Sequence, residues 1–228
     1  MDKNIFFILL CFTLSISTFA QETPVYAEGT ITIEASPEEV WAYLADDNNA
    51  RNWSIFFSSI TPCPEEACPT NKVKKAGEIG HIRRSHRNSD KSGLRWDEET
   101  IKIIKEKLSL YKAIRAHDFV GYGELGQRSE HLVEQIFNRT ENNETELTFR
   151  SSLYPHKDLT AEVTEFEYSM MNFFFKYVSK DRASEMFQKN LENIKAAVEK
   201  GDNYQRVHPY KKYCEPDEWL CFKFLQDY

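Results

Sequence analysis

The sequence is poor in glycine and proline, with eight of each among 228 residues. That scarcity argues against a fibrous or disordered chain. Positive charge is not in excess: 29 Lys and Arg stand against 36 Asp and Glu, a formal charge of −7. An acidic chain of mixed sign has no electrostatic reason to hold nucleic acid, so none is expected as a partner. No second long apolar run follows the one at the start, so no integral membrane segment is expected in the mature chain. There is no Gly-rich phosphate loop, no Gly-x-Ser-x-Gly elbow and no His-Glu-x-x-His pair. The six histidines form no chelate. His81 and His86 are separated by an odd number of residues and would face opposite sides of a strand. His117, His131, His156 and His208 stand alone. No metal, no cofactor and no catalytic residue is therefore expected.

What the chain does have begins at its start. Lys3 gives a thin positive charge, weakened by Asp2, and an apolar stretch runs from Ile5 to Ile16. Thr18-Phe19-Ala20 then ends on a small residue. This pattern predicts a signal peptide over residues 1–20, too short for a comfortable membrane span, and a secreted or periplasmic protein beginning near Gln21. Beyond Cys11 four cysteines remain: Cys63, Cys68, Cys214 and Cys221. An even number in an exported chain predicts disulfides. The local pairs Cys63–Cys68 and Cys214–Cys221 are the simplest arrangement. A long-range bridge from the C-terminal tail to the first loop is the rival. The spacings are wider than the usual paired-thiolate zinc knuckle.

Patterning along the chain predicts an α+β fold. Tyr26 to Ala35 alternates as a strand. Ser36 can cap a helix with Pro37 in its first turn, Glu38 and Glu39 on its positive end, and Val40, Trp41 and Leu44 on its apolar face. A second short helix or turn follows around Asn49 to Trp53. Strands are expected over residues 55–60, 77–86, 94–104, 108–116, 131–137 and 146–153, with 61–76 a loop. Short turns between strands imply an antiparallel meander. A long helix closes the pattern: Phe187, Leu191, Ile194 and Val198 form one apolar stripe, with Gly201 as a stop. Residues 165–178, dense in aromatics and methionine, read as an earlier helical turn packed on the sheet.

Residues 31–41, Ile-Thr-Ile-Glu-Ala-Ser-Pro-Glu-Glu-Val-Trp, resemble the opening of the START / birch-pollen-allergen (helix-grip) superfamily. Leu44-Ala45-Asp46, Trp53, Gly77-Glu78-Ile79-Gly80 and Leu191-Glu192-Asn193-Ile194 are similar to later parts of the same pattern. The likeness covers about residues 27–200 and is strongest for the polyketide cyclase/dehydrase and lipid-transport branch. It implies a curved antiparallel sheet wrapped around a long C-terminal helix, with a cavity between them. It implies no particular reaction. The organisation expected is a signal peptide over 1–20, one ligand-binding domain over 21–201, and a cysteine-bearing tail over 202–228.

The function this favours is an exported binding protein or carrier for a small hydrophobic molecule. A cyclase/dehydrase-type enzyme in the same cavity, or a module with a filled core, are the alternatives. Strand alternation nominates the lining as Leu147 and Phe149, Leu110 and Ile114, and Ile101 with Glu99, joined by Met170, Met186 and Phe187. Glu99 would orient a polar group of the ligand, unless it pairs with Arg83 or Arg84 on a neighbouring strand. The basic run Arg83 to Arg87 reads as a solvated face.

Overall fold

The computed structural model describes residues 25–93, 95–117, 129–155 and 180–209. One curved antiparallel sheet holds β1 (Val25–Ile33), β2 (Ser59–Pro62), β3 (Ile82–His86), β4 (Arg95–Ile104), β5 (Leu108–His117), β6 (Ser129–Arg139) and β7 (Thr145–Pro155). Their order across the sheet is β1-β7-β6-β5-β4-β3-β2. Three helices accompany it among the described residues: α1 (Pro37–Ala45), α2 (Ala50–Trp53) and α3 (Lys180–Lys200). The helix-grip arrangement expected from the sequence is the one found.

Local chemistry explains the helix ends. Ser36 and Glu39 form a reciprocal capping box: Glu39 N–H donates to Ser36 Oγ, and Ser36 N–H donates to Glu39 Oε2 at 2.9 Å. Pro37 occupies the first turn, where its missing N–H costs nothing. At the far end, α3 stops at Gly201, whose φ of +49° a side chain would disfavour.

The helices bury one face against the sheet. Ile33, Val40, Leu44, Trp53, Phe137, Leu147, Phe149, Leu191 and Ile194 form the main core. Trp41 packs on Phe137 with ring centroids 5.1 Å apart, and Phe187 meets Phe149 edge-on at 6.4 Å. Both residues thus serve the core, as their place in apolar stripes suggests. α3 crosses β1 closely at Gly29. A β-carbon there would lie 3.1 Å from both Gln188 N and Leu191 Cδ1, so glycine lets helix and strand approach.

Two element bounds differ from the sequence expectation. The strand placed over 55–60 starts only at Ser59, because Ser54 Oγ accepts the N–H groups of Phe56 and Phe57 and folds the chain into a turn. β3 starts at Ile82 rather than 77, after a turn in which His81 N–H bonds to Glu78 O. The described part of the segment assigned to a tail is tied to the domain. Tyr204 donates to Asn52 O, Arg206 to Ser54 O, and His208 N–H to Asn193 Oδ1 at 2.9 Å.

Cys63 and Cys68 are joined by a disulfide, the local pairing. They are buried with Ile82 in a second small core, against which Ala67 and Ile114 pack. Cys214, Cys221, Met170 and residues 165–178 lie outside the described residues. No described helix is long and apolar enough to cross a membrane.

Candidate functional site

Register decides which side chains meet inside the curve. Leu147 pairs with Phe137, and Phe149 with Gln135. Gln135 pairs with Ser109, and Val133 with Tyr111. Ser109 pairs with Ile103, Tyr111 with Thr100, and Ala113 with Glu98. Glu98 pairs with Arg83. Directly paired residues share a face, so all of these point to the side that α1 and α3 cover.

A cavity of about 410 Å³ opens on this face. Trp41, Leu44, Ala45, Ile103 and Phe137 give it an apolar wall. Asp47, His81, Arg83, Thr100, Ser109, Tyr111 and Gln135 give it a polar one. Ala76, Gly77 and Lys105 also line it. Its size lies in the range of small-molecule sites.

The polar wall is organised by Arg83. Its Nε and Nη2 donate to Glu98 Oε2 at 2.9 and 2.8 Å, and its Nη1 lies 3.7 Å from Asp47 Oδ1. The guanidinium also sits 3.7 Å from the centre of the Tyr111 ring. This contact is a cation–π attraction. Burial works against the Arg83 charge, but Tyr111, Glu98 and Asp47 outweigh it and hold the group protonated.

Two titratable neighbours are displaced in opposite senses. Burial raises the Asp47 pKa above the ordinary aspartate value, with Arg83 pulling the other way. Burial lowers the His81 pKa, which Asp47 opposes and Arg83 reinforces. A reluctant anion and a neutral imidazole therefore face the same space. Elsewhere on the inner face, His131 contacts Ser151 through Nε2 and meets Trp96 edge-on. Burial drops the His131 pKa to about 4, which leaves it a weak base.

The nominated lining residues are spread over both faces of the sheet. Leu147 and Phe149 do face inward, but they are packed in the main core, with Phe149 between Trp53 and Phe187. Met186 is half-buried on α3. Leu110 pairs with Glu134 and so lies on the outer face; the β5 residues that line the cavity are Ser109 and Tyr111. Ile114 is the unpaired residue of a bulge and packs on the disulfide core outside the sheet. Ile101 is likewise unpaired where the register shifts between Thr100 and Lys102. Glu99 pairs with Ile82, opposite in facing to Glu98, so the inward carboxylate is Glu98. None of these residues lines the cavity described above.

The basic run is not a solvated face either. Arg83 turns inward to Glu98. Arg84 turns outward, donates to Asp97 Oδ1 at 2.6 Å and Oδ2 at 2.9 Å, and lies 3.4 Å from Cys63 Sγ. Both pairs are largely buried. The legible signal is the doublet Arg83-Arg84 set against Asp97-Glu98 on adjacent antiparallel strands. Cys63, Cys68 and Asp97 cluster closely, but the sulfurs are spent on their bridge and the carboxylate on Arg84.

A family profile described as polyketide cyclase / dehydrase and lipid transport matches residues 25–199. Among solved structures, a Staphylococcus aureus protein of unknown function aligns with a TM-score of 0.53 at 13% identity, over 80% of this chain and 98% of its own. A Streptomyces aromatase/cyclase aligns at 0.46 and 15% identity, over 77% and 93% of the two chains. The di-domain aromatase/cyclase of the steffimycin biosynthetic pathway aligns at 0.49 and 14% identity, over 87% and 61%. No curated protein matches the chain significantly.

Proposed function

For a chain that belongs to the polyketide cyclase/dehydrase and lipid-transport family, we propose a role as an exported carrier that encloses one small, mostly apolar molecule bearing a polar end. The observation that carries this reading is the two-sided cavity. Trp41, Leu44, Ile103 and Phe137 would cover the ligand's body, and the group around Arg83 would hold its polar end. Arg83 is already engaged by Glu98, so the free hydrogen-bonding capacity offered to a ligand is chiefly that of uncharged groups such as Ser109, Gln135 and Tyr111. Phe149 and Phe187 would back the apolar wall through the core they share with Phe137. Export rests on the apolar start over residues 1–20 and is supported by the Cys63–Cys68 disulfide, which suits an oxidising compartment.

The test is a titration with a fluorescent fatty acid and a polycyclic aromatic probe. Saturable binding is expected with Kd of about 1 μM or tighter, near −8 kcal/mol. Ser109→Trp, which fills the cavity, and Ala76→Trp, which blocks it from an exposed position, should each remove that binding. Absence of saturable binding in the parent chain, or unchanged binding in both variants, contradicts the reading.

One observation favours a cyclase/dehydrase-type enzyme as the second reading. Asp47 and His81 line one cavity, and burial moves the pKa of each off its ordinary value, Asp47 up and His81 down, as is common for titratable groups in catalytic clefts. Turnover of a bound probe, lost in Asp47→Asn with the fold and probe affinity intact, would promote this reading over the carrier.

A further inference from the structure

The chain carries a net charge of −7, yet two segments at the cavity break sharply from that balance. Residues 72–79 hold three lysines against one glutamate, and residues 102–107 again hold three against one. Each segment is thus +2, by three minus one. They are neighbours in space: Ala76 and Gly77 from the first and Ile103 and Lys105 from the second line the same cavity. The backbone confirms it, since Gly80 N–H donates to Thr100 O at 2.8 Å, beside the second segment.

Aliphatic side chains stand out into solvent among these lysines. Val73 is 78% exposed, Ile79 56% and Ile104 42%. Among the described residues only Val207 joins them as an exposed large hydrophobic, so three of four lie on this rim. Exposing aliphatics singly is ordinary, but gathering them beside lysines at one opening is not accidental solvation. We infer that this rim, residues 72–79 with the β4–β5 turn, docks on an anionic lipid bilayer.

The chemistry favours a bilayer over other polyanions. The two segments contain no aromatic residue, so they offer no stacking platform for nucleic-acid bases. Their aliphatics sit on loops that can press between lipid headgroups, while the neighbouring lysines reach the phosphates. Glu78, the acid of the first segment, accepts the Lys75 N–H through Oε2 at 3.1 Å and is turned to its own backbone. Docking in this pose would set the opening against the membrane, so that an apolar cargo could pass without crossing water. The inference goes beyond the carrier reading, because the rim would bind lipid whether or not the cavity is filled.

The experiment is co-sedimentation of the full chain with phosphatidylcholine vesicles, with and without about 30% phosphatidylglycerol. Each lysine near an anionic surface contributes about five-fold in affinity. The parent should therefore bind the anionic vesicles at least about ten-fold better than the neutral ones, and about 0.5 M salt should erase the difference. Replacing Lys72, Lys74 and Lys75 by Gln should weaken binding to anionic vesicles roughly 100-fold. Val73→Ser with Ile79→Ser should weaken binding to them while leaving the salt response. All five positions are exposed, so the folds should survive, which a urea melt checks. Residues 1–20 are common to every chain compared and cancel. Equal binding to both vesicle types, or a triple lysine variant that binds like the parent, overturns the inference. Retention on immobilised polyglutamate with none on vesicles overturns it in favour of an acidic protein partner.

Discussion

Truncating Glu98 to alanine should be among the most damaging single changes on β4. Its carboxylate is 9% exposed and receives two N–H groups from Arg83, which is 11% exposed. At 2.8 Å and an effective dielectric of about 20, the bare attraction is about 6 kcal/mol, before the cost of taking both charges out of water. Without Glu98, the nearest carboxylate to Arg83 is Asp47 at 3.7 Å, itself a reluctant anion. Breaking a buried pair from one side costs about 3–5 kcal/mol. Glu98→Gln keeps the shape and one acceptor and should cost less, about 1.5–3 kcal/mol. Replacing both partners, Arg83→Met with Glu98→Leu, should recover much of the loss. Urea melts at constant m-value read these differences. Glu99→Ala is the control. It faces the other way and should cost no more than about 1 kcal/mol. If Glu98→Ala costs less than about 1 kcal/mol, or Glu99→Ala costs as much, the buried-pair account is wrong.

Asp47 makes a pH prediction. Its folded pKa is raised, so the unfolded chain loses this proton first, and the fold is penalised as pH climbs from about 4 through the raised value. Asp47→Asn should therefore gain more stability, relative to the parent, at pH 7 than at pH 4; a larger loss at pH 7 would contradict the sign. Non-reducing peptide mapping should recover the Cys63–Cys68 bridge, and Cys63→Ala with Cys68→Ala should cost about 2 kcal/mol for so short a loop. Alkylation of Cys63 and Cys68 themselves in the native, unreduced protein would count against it. Gly29→Ala should destabilise by about 1–3 kcal/mol, because the new methyl meets the backbone of Gln188 as well as Leu191. An unchanged melting midpoint would show that the helix–strand contact is looser than described.

The elements were legible where one physical signal governed them. The Ser36 cap with Pro37 and Glu39 in the first turn, the apolar stripe of α3 and the stop at Gly201 are local, and the structure has each where the sequence pattern points. The cavity was less legible, for two reasons. The extra residue Ile101, where the register shifts between Thr100 and Lys102, breaks the simple alternation of β4, so counting by twos from Ile103 misplaces Glu99; the shift at Asp97 and Glu98 does the same to β5 at Ile114. On β5 apolarity alone points Leu110 and Ile114 inward, yet the disulfide loop builds a second core on the outer face and gives Ile114 a place there. The inner face meanwhile buries Ser109, Gln135 and Thr100. The structural roles of Asn190 and Asn193 are not legible in the sequence for a related reason. They sit on the buried side of α3 because Asn190 accepts Ile55 N–H at 2.7 Å and Asn193 ties Trp53 O to His208, contacts between distant segments that no local pattern announces.

The central claim is that the cavity bounded by Trp41, Arg83, Ser109 and Phe137 holds a small molecule. Native mass spectrometry of the protein purified from its own host tests it most directly. The account predicts a non-covalent adduct of one small, mostly apolar compound, present in the parent and absent from Ser109→Trp and Ala76→Trp. A parent spectrum showing only the bare chain, or an adduct retained at equal occupancy in both variants, would contradict it.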